Sequence, residues 1–305
     1  MRVLITGISG FLGKHLAAAL LFAEHEVSGI RLDEGKPIER VAEHRVDILD
    51  VPSLNAVVAE LRPDVIVHLA ALSHVKRSWE QVPEFFSVNV LGVENVLAAA
   101  ATAGARVIFA SSSEVYGLVP ADEQPISECR GPAPRNPYAL TKAAGERLVL
   151  SAGGVVVRTF NLIGPGQEST FALPSFAKQL AAHAEGERVT VRVGNLEARR
   201  DFVHVSDGAE GFATLVDSPT AAGVYNLGRG SAVSIREALD RLIAISGQDV
   251  AVEVDPERLR PIDVPILCAD ASKLEALGWR PRRDLDQALE DLWWATRSAS
   301  EAPLA

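Results

Sequence analysis

The chain has 305 residues, 48% of them hydrophobic, and a formal charge of −10, enough for a large core in one or two domains. An acidic chain without a long basic run argues against nucleic acid as a partner, so an anionic ligand must be held by a few local arginines and backbone N–H groups. Two cysteines, Cys129 and Cys268, make no disulfide framework and are expected to be inert thiols in a reducing compartment.

The chain opens as a β-branched strand, residues 3–6, with no charged leader or apolar signal core ahead of it, so a cytoplasmic protein is expected. Residues 11–24 read as a helix, whose apolar stretch 16–23 is too short to span a bilayer; no membrane partner is expected. Strands are expected at 26–31, 45–47, 64–69, 106–111 and 155–158, and helices at 52–61, 83–103 and 138–151. Continuous Val/Ile/Leu runs separated by helices predict an α/β fold with a doubly wound parallel sheet of Rossmann type. After Gly164 the texture changes to a Gly/Pro loop, a helix over 170–185, short strands, a helix over 235–246, a Pro-bounded loop over 256–265 and an amphipathic helix over 285–297. We expect a dinucleotide-binding domain over 1–163 and a smaller, discontinuous substrate lobe over 164–305. Strands at 202–205 and 224–227 are expected to return to the first domain's sheet.

The string Thr6-Gly7-Ile8-Ser9-Gly10-Phe11-Leu12-Gly13 joins the first strand to the first helix. Gly7 suits a tight turn, Gly10 a close approach to pyrophosphate and Gly13 close helix–strand packing. The helix N-terminus then offers free N–H groups and a positive dipole end to an anion. At the start of the helix over 138–151, Tyr138-Ala139-Leu140-Thr141-Lys142 sets Tyr138 and Lys142 four residues apart on one face. A neighbouring ammonium favours the ionised phenol, so Tyr138 suits proton exchange with a carbonyl/alcohol pair. Ser111-Ser112-Ser113-Glu114-Val115-Tyr116-Gly117 places hydroxyls at the end of a strand, where they can hold a substrate oxygen.

Taken together, the GxxGxxG spacing, Tyr-x-x-x-Lys, the serine string, His68-Leu69-Ala70-Ala71 and Ser87-Val88-Asn89-Val90-Leu91-Gly92 resemble the extended short-chain dehydrogenases/reductases over nearly the whole chain. The resemblance implies a catalytic set of Ser112, Tyr138 and Lys142, with Glu114 near the chemistry and Ser113 at the substrate. It implies cofactor contacts from Gly7, Gly10, Phe11, Leu12, Gly13, Leu69, Ala70, Ala71 and Asn89, and adenine contacts from Asp47 and Ile48. Asp47 capping the next element is the alternative. NAD-specific relatives carry Asp where this chain has Arg31. A guanidinium there can pair with a 2′-phosphate, which favours NADP(H). Asp33 close by leaves NAD(H) open, and a solvated surface charge is the other reading of Arg31.

The second half narrows the resemblance. Arg158-Thr159-Phe160-Asn161, Gly164-Pro165-Gly166-Gln167, the segment 194–202 and the segment 255–265 are similar to enzymes of GDP-sugar metabolism, the GDP-mannose 4,6-dehydratases and GDP-4-keto-6-deoxy-D-mannose reductases. By position, Asn161, Arg200 and Arg260 would bind the diphosphate and ribose, with Lys178 near the base. The alternatives are an Arg200–Asp201 ion pair and a surface role for Arg260. The dehydratases carry a longer Arg-rich insert after the second strand. Here 31–37 is short, which favours the reductase and a GDP-linked 6-deoxy sugar as substrate. Glu114 sits where a dehydratase keeps its C5 base, and hydrogen bonding to substrate hydroxyls is its other reading. A UDP-sugar 4-epimerase and a non-catalytic cofactor-sensing relative are the remaining rivals. The helices over 83–103 and 138–151 resemble those of the family's four-helix homodimer interface; covering the sheet is their other use.

Overall fold

The structure, a computed structural model, describes residues 1–183, 187–259 and 264–301. The first half alternates β1 (Arg2–Thr6), α1 (Phe11–Phe22), β2 (Glu26–Arg31), β3 (Ala42–Arg45), α2 (Val51–Leu61), β4 (Val65–His68), α3 (Val75–Glu80), α4 (Val82–Phe86), α5 (Gly92–Ala103), β5 (Arg106–Ser112), α6 (Pro137–Ser151) and β6 (Val155–Thr159). There follow β7 (Asn161–Ile163), α7 (Ala172–Ala181), β8 (Arg188–Val193), β9 (Arg199–His204), α8 (Val205–Val216), β10 (Gly223–Leu227), β11 (Ala232–Ser234), α9 (Ile235–Ser246), β12 (Asp249–Val254), β13 (Ile266–Leu267), α10 (Ser272–Glu275) and α11 (Leu285–Glu301).

Seven strands form a parallel sheet in the order β10-β6-β5-β4-β1-β2-β3. Strand alternation sends Val3 and Ile5 to one face, where Leu16, Leu20, Phe212 and Leu215 of α1 and α8 cover them. Leu4 points to the other face, among Leu54, Val58, Val96 and Ala99 of α2 and α5. Each such leucine contributes about 1.5–3 kcal/mol on burial, which is why a fully covered sheet reads as unbroken apolar runs. The Val82–Ala103 stretch is long and apolar enough to cross a membrane, yet Phe85, Val93, Val96, Ala99 and Ala100 within it are buried in the protein. It is also interrupted by one π-helical turn, Ser87–Leu91.

Local signals set the element ends. Asp50 caps α2 by accepting the Ser53 N–H, Asn136 caps α6 by accepting the Ala139 N–H at 2.8 Å, and Ser234 caps α9 by accepting the Glu237 N–H at 3.0 Å. Gly104 in the left-handed region ends α5.

The expectation for the returning strands needs correction. β10 joins the sheet beside β6, but the strand expected at 202–205 is part of β9, which pairs with β7, β11 and β13 in a separate sheet. One cannot tell from a short apolar run which sheet it joins, because both positions bury it. The third strand also falls at 42–45 rather than 45–47: polar Ala42-Glu43-His44-Arg45 makes an edge strand that an apolar-run reading passes over. A second core gathers Leu173, Phe176, Leu180, Leu239, Leu242, Leu289 and Trp293 of α7, α9 and α11 against Val189, Val191 and Val193 of β8. Trp293 is buried there while Trp294, rotated by about 100° around α11, faces solvent.

Candidate active site

The sheet reverses its winding between β1 and β4, and a doubly wound sheet opens a crevice at the carboxyl ends of such strands. A cavity of about 890 Å³ lies there. Its walls come from the glycine-rich loop, the loops after β4 and β5, the start of α6, β7, α7, and the segments around 195 and 258.

Gly7, at φ +72°, turns the chain, and a Cβ there would meet the Ala70 backbone nitrogen at 2.8 Å. A Cβ on Gly13 would meet the carbonyl oxygens of Gly7 and Ile8 at 2.5 Å, so only glycine lets α1 start against this loop. Gly10 caps α1 without a side-chain hydrogen bond, so no side chain covers the first-turn N–H groups. Gly7, Gly10, Phe11, Leu12, Gly13, Leu69 and Ala71 line the cavity. These features fit a dinucleotide pyrophosphate. Ala70 sits behind the wall, its N–H donating to Thr6 Oγ1 at 3.3 Å. Thr6 Oγ1 also lies 2.6 Å from Nδ1 of His68, a fully buried imidazole that burial and the Lys142 charge push down to about 3.

Ser112, Ser113, Glu114, Tyr138 and Lys142 all reach the cavity wall. Ser112 ends β5 and accepts the Glu114 N–H at 3.2 Å. Glu114 Oε2 accepts from Asn136 Nδ2 at 3.0 Å, which ties the carboxylate to the start of α6. Burial pushes the Tyr138 phenol up to about 12, Ser112 opposing by hydrogen bonding and Glu114 adding to the rise. Lys142 Nζ donates to the Ala110 carbonyl at 2.8 Å and lies 4.7 Å from the centre of the Phe109 ring. Burial pushes it down to about 7 against the pull of Glu146. Among the protein groups that act on the Tyr138 phenol, burial is the largest.

Asn161 and Arg200 also line the cavity. Arg200 is buried and donates to the carbonyls of Arg199 and Val264 at 2.9 and 2.7 Å. Asp201, on the opposite face of β9, accepts the backbone N–H groups of Arg229, Gly230 and Ala269. Lys178 is exposed a turn beyond Pro174, where α7 has left the cavity, so the structure does not bring it to the walls. Arg260 lies outside the described residues. Arg258, not singled out from sequence, is on the wall with Nη1 3.1 Å from Ser175 Oγ. Its Asp255-to-Arg258 spacing was a readable i,i+3 pair. His74, Lys76, Trp79 and Phe171 also line the cavity, and no short motif marks them.

Besides Ala70, four expected cofactor residues stand apart from the cavity wall. Asn89, fully buried in the π-helical turn, accepts the Leu72 N–H and donates to the Leu72 carbonyl and to Thr141 Oγ1, tying the loop after β4 to α6. Asp47 accepts the Leu49 N–H at 2.9 Å, and Ile48 is packed beneath α5. Arg31 is no solvated surface charge: it is buried, with its guanidinium on Asp33 and Glu43.

The family model for GDP-mannose 4,6-dehydratase matches residues 4–292. The chain belongs to this family. It is 33% identical to the GDP-6-deoxy-D-mannose reductase of Pseudomonas aeruginosa, covering 98% of this chain and 99% of that one. Among solved structures, UDP-glucose 4-epimerase from Thermus thermophilus in complex with NAD is 32% identical with a TM-score of 0.88, covering 98% of this chain and 100% of that one. RMD from Pseudomonas aeruginosa complexed with NADPH is 31% identical with a TM-score of 0.85, covering 98% and 99%. This GDP-mannose 4,6-dehydratase family protein is accordingly an enzyme of the extended short-chain dehydrogenase/reductase type, with a Rossmann fold and a nicotinamide cofactor.

Proposed function

We propose that this enzyme reduces the C4 ketone of GDP-4-keto-6-deoxy-D-mannose to the alcohol, giving GDP-D-rhamnose. The observation that carries the reading is the end-to-end likeness to a GDP-6-deoxy-D-mannose reductase. The connection between β2 and β3, residues 32–41, holds no Arg-rich insert of the dehydratase kind, which supports the same choice. The nicotinamide, when bound, supplies a hydride to C4. Tyr138 gives its phenolic proton to the C4 oxygen, and Ser112 holds that oxygen. Lys142 anchors the nicotinamide ribose and stabilises the phenolate left after proton transfer. A phenol is protonated at neutral pH, the form that a reduction consumes, and burial moves Tyr138 further in that direction. Asn161, Arg200 and Arg258 serve the GDP diphosphate and ribose, with Arg260 from the adjoining segment. Residues 1–163, with α8 and β10 returning to them, serve as the cofactor domain and the rest of 164–305 mainly as the substrate lobe, in a cytoplasmic homodimer built on α4–α6. Arg31 at the end of β2 favours NADPH on sequence grounds; its carboxylate partners favour NADH.

Glu114 supports a second reading, GDP-mannose 4,6-dehydratase, because its carboxylate stands on the cavity wall beside Ser112 and Tyr138. The test follows nicotinamide absorbance with purified protein and GDP-4-keto-6-deoxy-D-mannose made in situ. Substrate-dependent stoichiometric oxidation, lost by about 10²-fold or more in Tyr138→Phe, is expected. Conversion of GDP-mannose to a 4-keto sugar without added reductant would move the assignment to the dehydratase.

A further inference from the structure

The connection after β2 carries a charge arrangement that Arg31 alone does not reveal. The Arg31 side chain is 7% exposed. Its Nη1 donates to Glu43 Oε2 at 2.5 Å and to the Lys36 carbonyl at 3.2 Å, while Nη2 and Nε donate to Asp33 at 2.6 and 3.3 Å. Glu43, from β3, is itself 8% exposed, and its other oxygen accepts the Ile38 N–H. Asp33 is 54% exposed. It accepts the Gly35 N–H, and the Arg31 guanidinium, with the Ser9 hydroxyl of the glycine-rich loop, holds its carboxyl well below the usual carboxylate range. Arg45 nearby is taken by Glu34 and by the Leu32 carbonyl. The group displayed beside the glycine-rich loop is therefore an anion. The cation stands behind it, covered and matched by two carboxylates.

We infer that Glu43 is a specificity-determining residue: by holding Arg31 behind the exposed Asp33, it makes the cleft select NAD(H) over NADP(H). The inference rests on the reading of this cleft as the dinucleotide site. A ribose 2′-OH can donate to the Asp33 carboxylate. A 2′-phosphate meets that negative charge and finds the guanidinium already engaged. Turning Arg31 toward the phosphate breaks its bond to Glu43 and strands a buried carboxylate without its cation, which is costly. Asp33 alone does not produce this selection, because an unheld Arg31 could swing past it to the phosphate.

Fluorescence titration of the full chain with NADH and with NADPH, without sugar, tests the assignment. The natural protein is expected to bind NADH at least about tenfold more tightly. Glu43→Gln, which keeps an acceptor for the Ile38 N–H, is expected to raise NADPH affinity about tenfold and leave NADH affinity nearly unchanged. Asp33→Asn is expected to weaken NADH and strengthen NADPH, and Glu43→Thr takes the place of Glu43→Gln if circular dichroism shows the latter unfolded. Equal or tighter binding of NADPH by the natural protein overturns the inference. So does a ratio that neither variant moves. Failure to bind either dinucleotide overturns the cofactor reading itself, and failure of sugar turnover leaves the titration untouched.

Discussion

Lys142 is the residue at which burial and function oppose each other most directly. Its ammonium is enclosed by the Ala110 carbonyl, the Phe109 ring, Glu146 and the neutral His68, and burial lowers it from 10.5 to about 7. Between pH 7 and 10.5 the unfolded chain therefore binds the proton that the folded chain releases, so this residue makes stability rise with pH across that window. Below pH 7 both forms are protonated and the contribution stays at its low value. The slope is at most about 1.4 kcal/mol per pH unit. Urea unfolding at pH 7, 8 and 9 should show the natural protein gaining on Lys142→Met over this range. A difference between the two proteins that stays constant from pH 7 to 9 refutes the assignment. Tyr138 and Lys142 were legible as a pair because helical spacing alone puts i and i+4 on one face. The burial that sets their equilibria was not, since it comes from strands far away in the sequence. Arg31 shows the same limit: its position at the end of β2 was readable, whereas its pairing with Glu43 depends on β3 lying alongside.

At the scale of elements, α6 must hold Tyr138 and Lys142 against β5, which ends in Ser112. A buried ion pair joins these pieces. Glu146, one turn beyond Lys142, receives Arg158 of β6 at 2.9 and 2.7 Å and the Ser111 hydroxyl of β5 at 2.6 Å. Both side chains are almost wholly buried, and the guanidinium also lies 4.6 Å from the Tyr116 ring centre. Removing one partner strands the other charge in a low dielectric, at a cost of roughly 3–5 kcal/mol. Glu146→Gln should lose about that much in a urea titration, and Arg158→Met with Glu146→Leu should lose less than Glu146→Gln alone. Equal stability of Glu146→Gln and the natural protein would show that the pair holds nothing in place. The parallel core strands and their helices were readable because both faces are covered and the runs are unbroken. The edge strand β3 and the placement of β9 were not, because polar edges and second sheets leave no distinctive pattern in a single chain.

For the whole molecule, two cores flank the cavity, and the helices α4–α6 carry exposed apolar side chains. α4, α5 and α6 pack beside one another, with Phe86, Leu91 and Leu140 well exposed. Large exposed apolar residues on adjacent helices mark an association surface when they gather in one region. Two copies meeting through these helices by a twofold axis would set each patch on its own duplicate, as a self-complementary interface requires. A stable dimer buries about 1,200–2,000 Å², more than three side chains provide, so the neighbouring polar residues must form the rim. A charge at the centre of such a patch meets its own copy across the axis and loses water without gaining a partner. Leu91→Arg combined with Leu140→Arg should therefore convert a protein sedimenting at twice the chain mass into one sedimenting at the chain mass. Its thermal unfolding and NADH binding at high concentration should change little, because neither side chain enters the core or lines the cavity. A natural protein that sediments as a monomer at micromolar concentration would leave these helices as a plain cover for the sheet.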